Sequence, residues 1–289
     1  MKQYFDEMKR TITKRLVELS EGYQYSNILK IAMQYTLLNP GKLFRPSLLI
    51  ATLSDLSHKE EDGIDVACAI EMIHAYGLIH DDLPALDNAH YRRGKVVNHA
   101  IYGEAQAILA GDGLLTEAFS VLSNANLDPK TVVLLVQLIS KNAGANGMVG
   151  GQSLDILSEN EDRDDLNIET LEKIHLGKTG ALIEAAMLSA AIIANAKEDV
   201  RQDIKQIAYH IGLAFQIKDD ISDLMLTSKD LGKDVKSDLA KDKTTYPKMF
   251  GLERSQEMLA SNAKAALDLI AKHFGTNSKL HYFVEEGLK

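Results

Sequence analysis

The sequence predicts an all-α fold, a single large helical bundle with a deep central cavity. Apolar residues recur at helical spacing along most of the chain, and strand-like alternation is nearly absent. The 289 residues contain five prolines and no Gly/Ser-rich or low-complexity run that would mark a linker. We therefore predict one domain over residues 1–289, although this length exceeds that of most single domains. About ten helices of such length form a bundle whose core can hold a deep site.

The individual helices follow from the spacing of their apolar residues. One apolar stripe predicts the N-terminal helix and consists of Phe5, Met8, Ile12, Leu16 and Leu19. Breaks at Asn39-Pro40-Gly41 and at Asp128-Pro129 mark places where helices are expected to end or begin. The same spacing predicts further helices near residues 26–38, 45–56, 64–80, 104–124, 130–143, 146–158, 168–176, 179–195, 199–226 and 254–273.

Composition and charge exclude several classes of protein. The net charge of −9 and the pI near 5.5 argue against nucleic acid as a partner. The single cysteine, Cys68, excludes an intramolecular disulfide and fits a reducing compartment. The charged N-terminus lacks a signal-peptide core, and the longest apolar stretch, residues 185–196, is too short to cross a bilayer. We therefore expect a cytoplasmic protein without a transmembrane segment.

Two aspartate-rich segments far apart in the chain point to a metal site. They read Asp81-Asp82-Leu83-Pro84-Ala85-Leu86-Asp87 and Asp219-Asp220-Ile221-Ser222-Asp223. Both lie in sequence that looks buried, where charged groups are rare unless they are paired or bind metal. Asp219 and Asp223 share one helix face, because they are four residues apart. In the first segment, Pro84 is expected to break the helix and let the chain bring Asp87 beside Asp81.

These carboxylates and the basic residues near them predict Mg²⁺ together with a phosphate-bearing ligand. Carboxylates without nearby thiols select a hard cation, and Mg²⁺ shares its ligands with water and phosphate. Taken alone, His74 also fits a packed core histidine, and Gly147 to Gly151 fit close helix packing because no strand precedes them. The basic residues in or beside the Gly- and Asp-containing stretches are Lys42, Arg45, Arg92, Arg93, Lys178, Lys233 and Lys243.

Shorter motifs accompany the two aspartate-rich segments in a fixed order across residues 40–247. They are Gly41-Lys42, Arg45-Pro46, Glu71-Met72-Ile73-His74, Arg92-Arg93-Gly94, Asn98-His99, Gly103-Glu104, Leu109-Ala110-Gly111-Asp112, Gly147-Met148-Val149-Gly150-Gly151-Gln152, Lys178-Thr179-Gly180-Ala181 and Gly232-Lys233. In this order and spacing, the chain resembles the short-chain trans-polyprenyl diphosphate synthase family, and within it the bacterial farnesyl diphosphate synthases. The resemblance implies a helical bundle of the isoprenoid synthase type.

The resemblance also implies an activity and a set of site residues. The implied enzyme is a homodimeric prenyltransferase that condenses isopentenyl diphosphate with dimethylallyl or geranyl diphosphate to give farnesyl diphosphate. About three Mg²⁺ ions are implied in each active site, with Asp81, Asp87 and Asp219 as the ligands. Asp82, Asp220 and Asp223 have secondary roles. The implied contacts to the allylic diphosphate are Arg92, Lys178, Thr179, Gln216, Lys233 and Lys243. Of these, Arg92, Lys178 and Lys233 are the implied catalytic residues. The implied isopentenyl diphosphate contacts are Lys42, Arg45, His74 and Arg93.

Product length depends, by the same resemblance, on Tyr76 and Gly77. Tyr76 precedes Asp81 by five residues, about 7.5 Å along a helix axis, and a large residue there goes with short products in the family. Gly77 is smaller than the serine expected beside Tyr76, so a longer product stays open.

Several alternatives remain at the level of sequence. A geranylgeranyl or geranyl diphosphate synthase differs in product length alone, whereas a terpene cyclase is opposed by the complete second aspartate motif and by Lys42 and Arg45. A non-catalytic, prenyl-synthase-like regulatory subunit is opposed by the presence of both aspartate motifs. The departures from the family pattern that bear on the strength of the activity are Leu43, Ala89, His90, Ala100 and the C-terminal residues 284–289, which lack the arginine often found near the end of family members.

Overall fold

The computed structural model describes residues 1–160, 167–229 and 245–288, and nearly all regular structure in them is helical. The all-α prediction is confirmed. The strands in these residues are limited to β1 (Tyr91–Arg92) and β2 (Lys95–Val96), an antiparallel pair in which Tyr91 faces Val96. Lys233 and Lys243 lie outside the described residues, so their predicted roles are not addressed by the structure.

The helices follow the predicted ones closely, with five additions. The additions are a 3₁₀ turn (Glu60–Gly63), the β1–β2 hairpin and three helices, Asn98–Tyr102, Tyr246–Phe250 and Lys279–Leu288. The α-helices are α1 (Lys2–Glu21), α2 (Asn27–Leu37), α3 (Phe44–Asp55), α4 (Ile64–Asp81), α5 (Asn98–Tyr102), α6 (Glu104–Ser123), α7 (Pro129–Ala143), α8 (Met148–Asn160), α9 (Ile168–His175), α10 (Ala181–Ile193), α11 (Glu198–Lys229), α12 (Tyr246–Phe250), α13 (Leu252–Phe274) and α14 (Lys279–Leu288).

Several helix ends have the local chemistry that the sequence indicates. The side chain of Ser26 caps α2 by accepting the Leu29 N–H at 3.4 Å. Asp128 accepts the N–H groups of Lys130 and Thr131, each at 3.1 Å, and Pro129 occupies the first turn of α7. The predicted break at Asp128-Pro129 is therefore a helix start.

The chain divides into two compact units. The first comprises Met1–Ile139 with Ile192–Asn195, and the second comprises Ser140–Ala191 with Ala196–Lys289. The single domain over residues 1–289 stays a prediction.

In the first unit, α4 is the central helix. It packs against α1, α2, α3 and α6, and its buried residues include Val66, Ile70, Met72, Ile73 and Ile79. Because apolar side chains surround the helix on every side, it is buried all round rather than amphipathic. The first aspartate-rich segment follows directly from its C-terminal end.

In the second unit, α11 takes the corresponding place. It packs against α9, α12, α13 and α14 and against a π-helical segment, Leu176–Gly180, that joins α9 to α10. One apolar cluster beneath the second aspartate-rich segment consists of Leu171, Ile217, Ile221 and Tyr246, each at most 7% exposed. This cluster fixes the half of α11 that carries the segment.

Two helical stretches are long and apolar enough to satisfy a simple test for membrane spans. They are Pro129–Ser158, whose most apolar window is 28% buried, and Ile168–Ile193, whose window is 67% buried. Residues 168–193 exceed the predicted apolar stretch because α9, the π-helical segment and α10 run on without a break. A buried core helix of a soluble protein passes the same test, so the absence of a membrane span stays a prediction.

Candidate active site

The first aspartate-rich segment folds back on itself. Helix α4 ends at Asp81, three residues before Pro84. The N–H of Asp87 donates to the carbonyl of Asp81 at 2.9 Å, and the N–H of Asn88 donates to the carbonyl of Leu83 at 3.0 Å. The side chains of Asp81 and Asp87 are both partly exposed. The prediction that a break at Pro84 brings Asp87 beside Asp81 is confirmed.

Asp82 points inward and binds Arg92. Its side chain accepts from Arg92 Nε at 2.6 Å, and Arg92 also reaches Asp81 Oδ2 at 3.4 Å. Burial raises the pKa of Asp82, and the nearby Arg92 guanidinium opposes that rise. Arg92 lies on β1, so the hairpin holds a predicted diphosphate contact against the carboxylates at the end of α4.

Three of the four predicted isopentenyl diphosphate contacts lie around one face of α4. Burial lowers the pKa of His74 well below its usual value, and the positive charges of Arg45, Arg93 and Arg92 lower it further. Glu71, one turn earlier, has its pKa raised to about 7 by burial, while Arg45 and Arg93 oppose the rise. Arginines from two separate segments, α3 and the β1–β2 hairpin, therefore act on the same part of α4.

Lys42, the fourth predicted contact, is exposed. The side chain of Arg93 lies close to the backbone of the preceding residue, Gly41. A β-carbon at Gly41 would lie 2.6 Å from Cζ of Arg93, so the guanidinium lies directly against the glycine. Leu43, Asn88 and Arg93 adopt positive φ angles, which are uncommon for such residues and concentrate at functional sites.

Tyr76 is fixed within the first unit rather than loosely exposed. It is 6% exposed, burial raises its pKa, and its ring meets that of His80 edge to face with centroids 5.7 Å apart. The His80 ring lies over Gly111 of α6, where a β-carbon would come within 2.2 Å of Nε2, and that nitrogen is 3.0 Å from the carbonyl oxygen of Ile108. Gly77 is partly buried beside Tyr76. The role of Tyr76 and Gly77 in product length stays a prediction.

The second aspartate-rich segment presents two faces of α11. Asp219 and Asp223 are exposed, whereas Asp220 is 7% exposed. The expectation that this segment is buried is therefore wrong for Asp219 and Asp223 and right for Asp220. The reason is the helical period, because residues four apart share the solvent-facing side while Asp220 turns toward the core.

A chain of hydrogen bonds connects Asp220 to Thr179. Gln216 Nε2 donates to Asp220 Oδ1 at 3.0 Å, and Thr179 Oγ1 donates to Gln216 Oε1 at 3.0 Å. The backbone N–H of Tyr246 donates to Asp220 Oδ2 at 3.1 Å. Burial raises the pKa of Asp220 to about 6, and the bonds from Gln216 and Tyr246 oppose the rise.

Lys178 and Thr179 lie in the π-helical segment between α9 and α10. Such segments are rare in proteins, and many of those known lie at functional sites. Lys178 Nζ donates to Asp155 Oδ2 of α8 at 2.7 Å. A β-carbon at Gly151 would lie 2.1 Å from the backbone nitrogen of Lys178, so this glycine allows close helix packing, as the sequence predicts.

Sequence reasoning did not identify Asp155, Glu71 and Tyr246 as site residues. Asp155 follows Gln152 by three residues on the same helix, and this acidic position next to a quoted motif is the signal that was available. Glu71 belongs to the motif Glu71-Met72-Ile73-His74. Its burial near Arg45 and Arg93, which makes it part of the site, is visible only in the structure. Tyr246 contributes a backbone N–H, which no residue pattern identifies.

The carboxylates of the two aspartate-rich segments suit Mg²⁺, which takes part of its ligands from water and substrate, better than a metal whose ligands are all protein side chains. Among the described residues, no three His, Cys, Asp or Glu side chains converge at metal-binding distance. Mg²⁺ is usually bound by one or two carboxylates, with water and substrate phosphates completing the octahedron. The adjacent Asp81 and Asp87 and the exposed face of Asp219 and Asp223 provide such partial sets of oxygen ligands.

Comparison with known proteins gives a consistent result. The sequence profile described as polyprenyl synthetase matches residues 26–286. The chain is 45% identical to farnesyl diphosphate synthase of Micrococcus luteus over 252 residues, which cover 87% of this chain and 86% of that one. It is 44% identical to geranylgeranyl diphosphate synthase of Cyanophora paradoxa over 259 residues, which cover 88% and 84%. The crystal structure of an FPP/GFPP synthase from Zymomonas mobilis superposes with a TM-score of 0.89 at 30% identity, covering 100% of this chain and 98% of that one.

Proposed function

This chain belongs to the polyprenyl synthetase family, and on that premise we propose that it condenses isopentenyl diphosphate with dimethylallyl or geranyl diphosphate to give farnesyl diphosphate. The observation that carries the proposal is the turn at Pro84, which brings Asp87 to Asp81 with Arg92 beside them. Similarity to farnesyl diphosphate synthases and the buried ring of Tyr76 support the C15 product.

The site residues have separate tasks in this proposal. Asp81, Asp87 and Asp219 would hold Mg²⁺, about three ions in each site. When bound, Mg²⁺ would neutralise charge on the allylic diphosphate as this group leaves. Lysine provides a compact charge and arginine a planar fork for the same anion. The chain's own contacts to this diphosphate are Arg92, Lys178, Thr179, Gln216, Lys233 and Lys243.

The second substrate is held by the basic residues around α4. Lys42, Arg45 and Arg93 bind the diphosphate of isopentenyl diphosphate, and His74 acts as a neutral hydrogen-bonding group because its pKa is low. The C–O bond of the allylic substrate breaks to give an allylic cation and free diphosphate, and the double bond of isopentenyl diphosphate attacks this cation. The proton then lost from the adduct passes to the departing diphosphate. No side chain of this protein serves as a dedicated base in this scheme.

The setting of the enzyme follows from its charge, its cysteine content and the length of its apolar stretches. A net charge of −9 and the single buried cysteine support a cytoplasmic enzyme without nucleic acid partners. The short apolar stretch of residues 185–196 supports the absence of a transmembrane segment. Family resemblance supports a homodimer.

The proposal is tested by Mg²⁺-dependent incorporation of labelled isopentenyl diphosphate into prenyl products. Asp87→Asn removes one metal-facing charge and should lower kcat at least about 100-fold. Asp268→Asn is the matched control, because this aspartate of α13 is 65% exposed and pairs with Lys264 on the same helix. Normal incorporation by Asp87→Asn would contradict the role given to this carboxylate. No incorporation by the wild type with either primer would contradict the proposal and favour a regulatory subunit.

A further inference from the structure

We propose that Asp220 is a positioning residue that sets the orientation of the Gln216 amide, and that Gln216 presents its remaining N–H to the allylic diphosphate. The inference rests on the proposed function, because it assigns a role to Gln216 at the diphosphate site.

Asp220 is engaged by the protein on both oxygens. Oδ1 accepts from Gln216 Nε2 at 3.0 Å and Oδ2 accepts from the Tyr246 N–H at 3.1 Å. The residue is 7% exposed, whereas Asp219 and Asp223 in the same motif are exposed. Asp220 is therefore placed to hold protein groups, and its two neighbours in the motif are placed to meet a ligand from solvent.

The chemistry of the donors fixes the direction of the chain of hydrogen bonds. An ionised carboxylate only accepts, so the Gln216 side chain must turn its NH₂ toward Asp220 and its carbonyl toward Thr179. The Thr179 hydroxyl then donates its single proton to Gln216 Oε1, at 3.0 Å. One N–H of Gln216 remains after the bond to Asp220, and it is the donor that the group can offer to an anion.

Asp220→Asn should reverse this direction without removing the bonds. The Tyr246 N–H requires an acceptor, so the oxygen of the introduced amide faces it and the NH₂ of that amide faces Gln216. Gln216 then turns its carbonyl toward the introduced amide and its NH₂ toward Thr179, whose hydroxyl can rotate to accept. The variant should keep the hydrogen bonds around residue 220, while the N–H group that Gln216 offers to the diphosphate changes position.

The test measures steady-state kinetics and the Mg²⁺ requirement of Asp220→Asn, Gln216→Ala and the double variant. Misplacement of a substrate-positioning group can cost about 10- to 100-fold, so we expect a loss in kcat/KM for the allylic substrate in that range. The half-saturating Mg²⁺ concentration and the Tm should stay near those of the wild type. The double variant should be no worse than Gln216→Ala, because Asp220 acts through Gln216.

Other outcomes would overturn the inference. An Asp220→Asn enzyme with wild-type kinetics, an increased Mg²⁺ requirement, or losses that multiply in the double variant would each contradict it. If Asp220→Asn does not fold, Thr179→Val provides the second test. It should lower kcat/KM less than Gln216→Ala does, because the single hydroxyl proton of Thr179 is donated to Gln216 and the hydroxyl then acts through that amide. The opposite order would mean that the hydroxyl donates to the diphosphate directly, as the family resemblance implies, and would contradict the inference. A wild type that forms no prenyl product would instead contradict the proposed function.

Discussion

Asp82 and Asp220 hold the second position of the two aspartate-rich motifs, and both side chains are buried. Asp82 is 4% exposed and binds Arg92, whereas Asp220 is 7% exposed and binds Gln216 and the Tyr246 N–H. A buried carboxylate is tolerated when protein donors satisfy it. Within each motif, the second carboxylate therefore contributes to the shape of the site, and the outer ones are accessible to ligands.

Removing the Asp82 carboxylate should destabilise the protein measurably. Asp82→Ala leaves the partly buried Arg92 without its 2.6 Å partner, and we expect a loss of about 2 kcal/mol in the free energy of unfolding. Urea unfolding measures this change. The control is Glu257→Ala, which breaks an exposed pair with Arg254 and should cost less than about 1 kcal/mol. Equal effects of the two substitutions would mean that the Asp82–Arg92 pair contributes little.

Glu71 should make the stability of the protein depend on pH. Burial raises its pKa from 4.5 in the unfolded chain to about 7 in the folded protein. The folded state therefore favours the protonated form, and this contribution is complete below about pH 4.5 and lost as the pH rises through 7. Glu71→Gln removes this titrating group. The free energy of unfolding of the variant minus that of the wild type should therefore rise by roughly 3 kcal/mol between about pH 4.5 and 8.

Thermal unfolding at a series of pH values measures the Glu71 effect. Glu257→Gln serves as the control because this side chain is 59% exposed. A constant difference between Glu71→Gln and the wild type across that range would show that Glu71 has no raised pKa.

Tyr76 should determine product length through the size of its side chain. Tyr76→Ala removes a ring that is 6% exposed and packed against His80, and the space allows a longer prenyl tail. We expect C20 products to increase at the expense of C15, resolved by chromatography. Tyr76→Phe keeps the ring and should retain the wild-type profile. An unchanged profile in Tyr76→Ala would exclude Tyr76 as the residue that limits product length.

At the scale of the elements, the π-helical segment depends on a glycine contact between helices. Gly151 of α8 lies against Gly177 and Lys178, where a β-carbon would be 2.5 Å from the Gly177 carbonyl carbon. The neighbouring atoms belong to the backbone, so they cannot move aside as a flexible side chain would. The close approach places Lys178 within reach of Asp155.

Gly151→Ala should therefore disturb both stability and catalysis. Overpacking of this kind costs about 1–3 kcal/mol, and a shift of the π-helical segment should reduce kcat as Lys178 and Thr179 move. Gly22→Ala is the control, since the nearest atom to its new β-carbon is the carbonyl oxygen of Leu19, 3.7 Å away. Chemical unfolding and steady-state kinetics measure the two effects, and a fully stable, active Gly151→Ala would contradict the role given to this contact.

The long helices were predicted because their apolar residues continue at helical spacing over several turns, on one face in α1 and on every side in α4. Helix α11 (Glu198–Lys229) was expected over residues 199–226, and α4 (Ile64–Asp81) over 64–80. The short elements that were not predicted, the 3₁₀ turn, β1, β2, α5 and α12, have two to five residues, too few for a period to emerge. Helix α14 (Lys279–Leu288) is longer, and no prediction was made for it.

At the scale of the whole molecule, the chemistry of the site is more predictable than its contacts. Residue types and spacing identified the two aspartate motifs and the turn at Pro84, because carboxylates and proline act through local chemistry. Spacing did not reveal that Asp220 binds the Tyr246 N–H or that Lys178 binds Asp155, since packing of distant segments creates those partners. The exposure of Asp219 likewise depends on which side of α11 is covered.

Product analysis by chain length shows whether this protein makes farnesyl diphosphate. Purified protein is incubated with labelled isopentenyl diphosphate and geranyl diphosphate, with and without Mg²⁺, and the products are resolved by chain length. We expect a C15 product that requires Mg²⁺. A C20 product would keep the reaction class and contradict the assigned product, and the absence of any condensation would contradict the proposed function as a whole.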